Sequence, residues 1–137
     1  MGMENIAERL PEHARDRPDH PAIVDGELVV TYGELDPLVS RMALGLRAAG
    51  VGPSDIVGLC LKDRAAHLIL HYAIARLGAA ILPLDIRWTE EERGRFARFF
   101  EAKLVCVEAG ETAGAGETLE VTDDWLDTLP SLAGGET

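Results

Sequence analysis

The chain has 137 residues, 47% hydrophobic, 27% charged and 5% aromatic, the balance of one globular domain with a core of its own. Its formal charge of −11 is unevenly placed: residues 108–137 hold eight of the 24 acids and none of the 13 bases, leaving 16 acids against 13 bases, or −3, in the first 107. A near-neutral body with an acidic tail offers no basic face to displace counterions, so nucleic acid is excluded as the expected partner.

Residues 4–15 carry Ile6, Ala7, Leu10 and Ala14 on one helical stripe, a predicted helix that Pro11 should kink. No signal-peptide core precedes it, because Glu4, Glu8 and Arg9 are interleaved with the apolar residues. Pro18 and Pro21 mark a loop. Ala22–Val24 and Leu28–Val30 flank the turn signal Asp25-Gly26 and predict a β-hairpin. Thr31-Tyr32-Gly33-Glu34 has capping-box spacing, and the helix after it bears Leu35, Leu38, Val39, Met42 and Leu46 and should close at Gly50. From here the pattern alternates. Ile56–Leu61 predicts a buried strand, Asp63 caps a helix that runs to Leu77 and closes at Gly78, and Ala79–Leu84 is again a strand. A second capping box, Thr89 to Glu92, opens a helix to about Glu101 with Phe96, Phe99 and Phe100, and Leu104–Val107 is the next strand.

These elements predict a layered α/β fold with a parallel βαβαβ core, preceded by a helix and a hairpin. Residues 1–107 form the expected α/β subdomain. Residues 108–137 are expected to give an acidic loop, a short strand at Leu119–Val121, a helical turn or two from Asp123 to Leu129, and a disordered tail. Crossovers between neighbouring strands should place consecutive helices on one face and leave the other face bare. The longest apolar run, Ala73–Leu84, is broken by Arg76, Gly78 and Pro83 and falls short of the roughly 18 residues of a membrane span. Cys60 and Cys106 lie in apolar runs and read as buried free thiols of a cytoplasmic protein.

Few residues suggest chemistry. His67 and His71 share a helical face, but no third ligand has suitable spacing, so no metal site is predicted. Gly110, Gly114 and Gly116 follow a strand, yet acids flank them and no Lys is near, which reads as a loop and not as a phosphate cradle. Gly50 and Gly52 follow a helix and are no dinucleotide fingerprint. Arg93, Arg95 and Arg98 sit among Glu90–Glu92 and Glu101 and read as a solvated, self-paired face. No catalytic residue is assigned. Arg87, just beyond the strand ending Pro83-Leu84-Asp85, is the one candidate for a ligand contact, because ligands of open α/β sheets gather at the carboxyl ends of strands.

Two segments together resemble the core motifs of the adenylate-forming (AMP-dependent) synthetase and ligase superfamily. Thr31-Tyr32-Gly33-Glu34-Leu35, leading to Gly50-Val51-Gly52-Pro53-Ser54-Asp55, is similar to the first motif. Ala75-Arg76-Leu77-Gly78-Ala79-Ala80-Ile81-Leu82-Pro83-Leu84-Asp85 is similar to the second, and Arg87-Trp88-Thr89-Glu90-Glu91-Glu92 resembles the continuation usual in acyl-CoA synthetases. The resemblance runs from about residue 4 to 107 and makes Thr31, Tyr32, Glu34, Leu35, Gly50, Gly78, Pro83, Leu84, Asp85, Thr89 and Glu92 motif positions of architectural character. Pro37 departs from the family pattern.

The resemblance implies part of a large N-terminal domain of layered α/β sheets, paired in the family with a small mobile C-terminal domain. It implies an enzyme that activates a carboxylic acid with Mg-ATP and passes the acyl group to a thiol of coenzyme A or phosphopantetheine. The family's phosphate loop, ribose-binding acid and C-terminal lysine would lie beyond Thr137. The 137 residues alone are therefore expected to be inactive and without a cofactor, with the rest of the ligase or a second copy as partner. Within the family the acyl-CoA synthetase type, in fatty acid metabolism, is the expected one, because Arg87 and Thr89 lean towards it; a peptide-synthetase adenylation domain, which Asp85 after Pro83-Leu84 suits, is an alternative. A non-enzymatic α/β interaction module is the remaining alternative.

Overall fold

A computed structural model of the protein describes residues 9–62, 65–112, 114 and 117–122. Along them run α1 (Leu10–Asp16), β1 (Pro21–Asp25), β2 (Leu28–Thr31), α2 (Tyr32–Ala48), β3 (Ile56–Cys60), α3 (Ala65–Arg76), β4 (Ala80–Pro83), α4 (Glu90–Phe99), β5 (Leu104–Glu108) and β6 (Glu117–Val121). The start expected for the first helix, the Asp63 cap, Gly116 and everything expected beyond Thr122 lie outside the described residues.

Pro11 does not kink α1. It occupies the first turn, where an N–H has no helical partner to lose. β1 and β2 pair antiparallel around the two-residue turn Gly26-Glu27, with Gly26 at φ 63. The capping box predicted at Thr31 is formed: Thr31 Oγ1 accepts from the Glu34 amide at 3.2 Å, and Glu34 Oε1 accepts from the Thr31 amide at 2.9 Å. Past it, α2 continues unbroken through Pro37. Pro37 stands on an exposed flank, where water can solvate the carbonyl deprived of its bond. The inward stripe of α2, Leu35, Val39, Met42 and Leu46, is fully buried.

Three helices end alike. Gly50 and Gly78 adopt positive φ, and the following amides reach back, Val51 to Leu46 O at 3.0 Å and Ala79 to Ile74 O at 3.1 Å. α4 closes the same way, Ala102 to Ala97 O at 2.9 Å, but the residue in the left-handed position is Glu101, at φ 56.

The four core strands are parallel, in the order β4-β3-β5-β6. This order overturns the expected bare face. β5 lies on the opposite side of β3 from β4, so the second crossover runs back across the sheet. With right-handed crossovers, reversing direction moves the helix to the other face. Accordingly α3 packs over Val57, Leu59, Leu104 and Cys106, while Ala97 of α4 joins Cys60, Leu84, Val105 and Val107 beneath. β6 extends this sheet alongside β5.

Two long-range polar contacts tie the layers. Asp25 Oδ2, from the hairpin, accepts from the Ala65 amide at the start of α3 at 2.9 Å. Arg76 of α3 donates to Asp36 Oδ1 at 2.8 Å and to Ser40 Oγ at 2.6 Å on α2. The two cysteines are free and buried, and burial pushes the Cys106 thiol up to about 12.

Each capping threonine satisfies an otherwise orphaned amide, so Thr31→Ala and Thr89→Ala should each cost about 0.5–2 kcal/mol in urea unfolding. Glu101→Gly relieves a left-handed side chain and should gain on the order of 1 kcal/mol in the same assay.

Candidate functional site

β3 connects to β4 on one side of the sheet and β5 connects to β6 on the other, so the direction of winding reverses between β3 and β5. Open α/β sheets bind ligands outside the carboxyl ends of the strands at such a reversal. Here the ends of β3 and β5 and the segments that follow β4 and β5 frame a crevice of about 300 Å³ lined by Cys60, Lys62, Ile86, Arg93, Glu108 and Glu111.

Arg93 organises it. The sequence places this residue on a solvated helix face with Arg95 and Arg98; in the structure it is 8% exposed, turned inward on the flank that α4 buries with Gly94 and Ala97. Its guanidinium donates to Trp88 O at 3.2 Å and Thr112 O at 2.8 Å and pairs with Glu111 at 3.2 Å. Burying a guanidinium is costly unless its donors are matched, and these contacts match them while pinning the segment after β5 to α4. Glu108 Oε2 accepts from the Lys62 amide at 2.7 Å, joining the ends of the two central strands. Burial pushes the Cys60 thiol up, against a smaller opposing effect of Arg93, so it stays protonated at neutral pH and is no activated nucleophile.

Arg87 does not line the crevice. Its side chain is 86% exposed and folds onto Asp85: Nε to Oδ1 at 3.0 Å, Nη2 to Oδ2 at 2.7 Å, and its amide to Oδ1 at 2.8 Å. Hydrogen bonds from the Arg87 side chain, then from its amide, hold the Asp85 carboxyl down at about 2. So committed, Asp85 is not a general base. Thr31 with Glu34 and Thr89 with Glu92 form capping boxes, Gly50 and Gly78 close helices, and Leu35 and Leu84 are buried. Tyr32 makes ring contacts with His13 at 5.1 Å and His20 at 5.9 Å, and Pro83 ends β4 opposite Leu59.

The rings of His67 and His71 lie 4.7 Å apart at a tilt of 48°, and burial, then the His67 charge, lowers the His71 pKa. Among the described residues no three His, Cys, Asp or Glu gather to hold a metal. Gly110 and Gly114 have positive φ, but a Cβ at Gly114 would stand 2.5 Å from Glu90 O, against an α4 first turn that carries Glu90, Glu91 and Glu92. An entering triphosphate would meet these acids and Glu111. Around Gly110 and Gly114 the described residues therefore do not fit the phosphates of a nucleotide.

The described residues thus form a doubly wound parallel sheet with a crevice at its reversal point and two capping boxes. The chain matches the family described as AMP-binding enzyme over residues 10–133, and it belongs to that family. It is 35% identical over 129 residues to phosphinothricin tripeptide synthetase PhsC of Streptomyces viridochromogenes, covering 92% of this chain and 12% of that protein. Among solved structures, the N-terminal domain of FACL13 from Mycobacterium tuberculosis superposes with a TM-score of 0.82 at 23% identity, over 94% of this chain and 37% of that one. The nonribosomal peptide synthetase FmoA3, solved with α-methyl-L-serine-AMP bound, gives a TM-score of 0.80 at 28% identity, over 93% of this chain and 15% of that one. The chain thus spans well under half the length of these relatives.

Two substitutions test the site. With Arg87→Ala, Asp85 should lose the guanidinium donors but keep the amide of residue 87, and its protonation, followed by NMR, should rise from about pH 2 part of the way towards the ordinary carboxylate range. Arg93→Met removes three matched donors and should cost about 1–3 kcal/mol in urea unfolding, with faster amide exchange at Glu111 and Thr112.

Proposed function

We propose that the chain is N-terminal framework of an enzyme that activates a carboxylic acid with Mg-ATP as an acyl-adenylate, releasing pyrophosphate, and hands the acyl group to a thiol. The acid in this reading is an amino acid and the thiol a carrier's phosphopantetheine. The observation that carries it is sequence kinship with a tripeptide synthetase across nearly the whole chain, whereas the likeness to FACL13 is one of fold. The motif residues supply scaffold: the α/β unit of residues 1–107 bears both capping boxes, and residues 108–137 carry β6 and the acidic segment onward. Nucleotide and acid are held elsewhere in the enzyme, and Arg87, already paired, orders the turn after β4. A second reading, a coenzyme A ligase of a fatty or aryl acid, is favoured by the Arg87–Glu92 segment.

The test is ATP–pyrophosphate exchange by the protein that carries this segment, with amino acids, fatty acids and aryl acids compared. Exchange driven by one or a few amino acids is the expected result. Exchange driven by a fatty or aryl acid, with coenzyme A consumed, supports the second reading, and no exchange with any acid contradicts both. The 137 residues alone, titrated with Mg-ATP in a calorimeter, should give no saturable heat, and a micromolar constant would overturn the placement of the nucleotide elsewhere.

A further inference from the structure

One flank of α2 is left open by the fold. Leu35, Val39, Met42 and Leu46 turn inward, while Glu34, Pro37, Leu38 and Arg41 stand on the side nearer β2. With Leu28 and Val29, which are 52% and 47% exposed, they line an apolar groove of about 440 Å³. Scattered apolar side chains on a surface are ordinary, but a continuous groove of them is characteristic of a contact site.

The charges say what covers it. Glu34 lies three residues before Pro37 and Arg41 three after Leu38, so acid and base bracket an apolar middle on one helical flank, two turns or about 10.5 Å apart. A two-fold axis through the Pro37–Leu38 midpoint, perpendicular to α2, reverses the helix. It sets acid against base at both ends and apolar middle against apolar middle. Glu34 can take part, because its capping bonds use Oε1 and leave Oε2. Arg41 has five donors, enough to add a carboxylate to the contacts it already makes. Another apolar groove, formed by Phe96 and Phe99 of α4 with Phe100 just beyond it, has Arg95 and no acid in its lining. Across a two-fold that face would oppose like charges.

We propose that the α2–β2 face is an isologous interface between two copies of this chain, the α2 helices antiparallel, Glu34 of each opposite Arg41 of the other. The mass from light scattering should climb from one chain towards two with concentration and fall back in high salt, which screens the pairs. Arg41→Glu sets acid against acid and should leave a folded monomer, its circular dichroism that of the wild type. Glu34→Gln keeps a capping-box acceptor but loses the charge and should weaken association several-fold. Pro37→Cys, beside the axis, should form a disulfide-linked dimer under mild oxidation, the native thiols being buried. Phe99→Lys should leave the dimer intact. A wild-type chain monomeric throughout, a dimer that survives Arg41→Glu, a Pro37→Cys chain that never cross-links, or a dimer dissolved by Phe99→Lys would each overturn the proposal.

Discussion

A parallel strand with parallel neighbours on either side has no face that water can reach without exposing apolar side chains, so it must be covered above and below. β3 is such a strand. Val57 and Leu59 point one way and Cys60 the other, and Gly58 leaves room for the side chains of Leu84 and Val105. The cover comes from two crossovers that run in opposite directions, one outward to β4 and one back across to β5. That reversal puts α3 and α4 on opposite faces. α2 and the hairpin then pack around α3, fastened by Arg76 to Asp36 and Ser40 and by Asp25 to the Ala65 amide.

The same reversal creates the crevice between the ends of β3 and β5, and its contents bear on function. Its charges answer one another: Arg93 is matched by Glu111 and two carbonyls, and Glu108 takes the Lys62 amide. A site built for catalysis leaves groups poised for a substrate, with pKa values moved towards the working pH. Here the movement is the other way. Cys60 is held as a thiol and Asp85 as a carboxylate, each far from the state in which it could exchange a proton near neutrality. The polar groups lock strand ends and loops in place, as the proposed framework role requires.

Much of this was legible locally. Capping boxes at Thr31 and Thr89 depend on a hydroxyl and a carboxylate three residues apart, and Gly50 and Gly78 announce helix ends because glycine adopts positive φ without strain. What escaped depends on long-range partners or on a broken rule. Strand order is not written in helical or strand periodicity, so the face covered by α4 could not be anticipated. Arg93 has glutamates nearby in sequence, yet its partner is Glu111, beyond β5; Gly94 and Ala97, small residues on its flank, were the available hint that it points inward. Asp25 reads as a turn residue and also serves α3, 40 residues later. Glu101 ends a helix in a glycine's place with no glycine to signal it. Arg87 follows the carboxyl end of β4, but its fork is filled by Asp85.

Native-state amide hydrogen exchange over the whole chain tests most directly the claim that a doubly covered β3 organises the structure. Exchange from the most stable unit reports global unfolding, whereas poorly covered elements open locally. The amides of β3 and β5 should be the slowest to exchange, with those of the hairpin β1–β2 clearly faster. β3 amides exchanging as fast as the hairpin, or protection concentrated in α1 and α2 alone, would contradict the account.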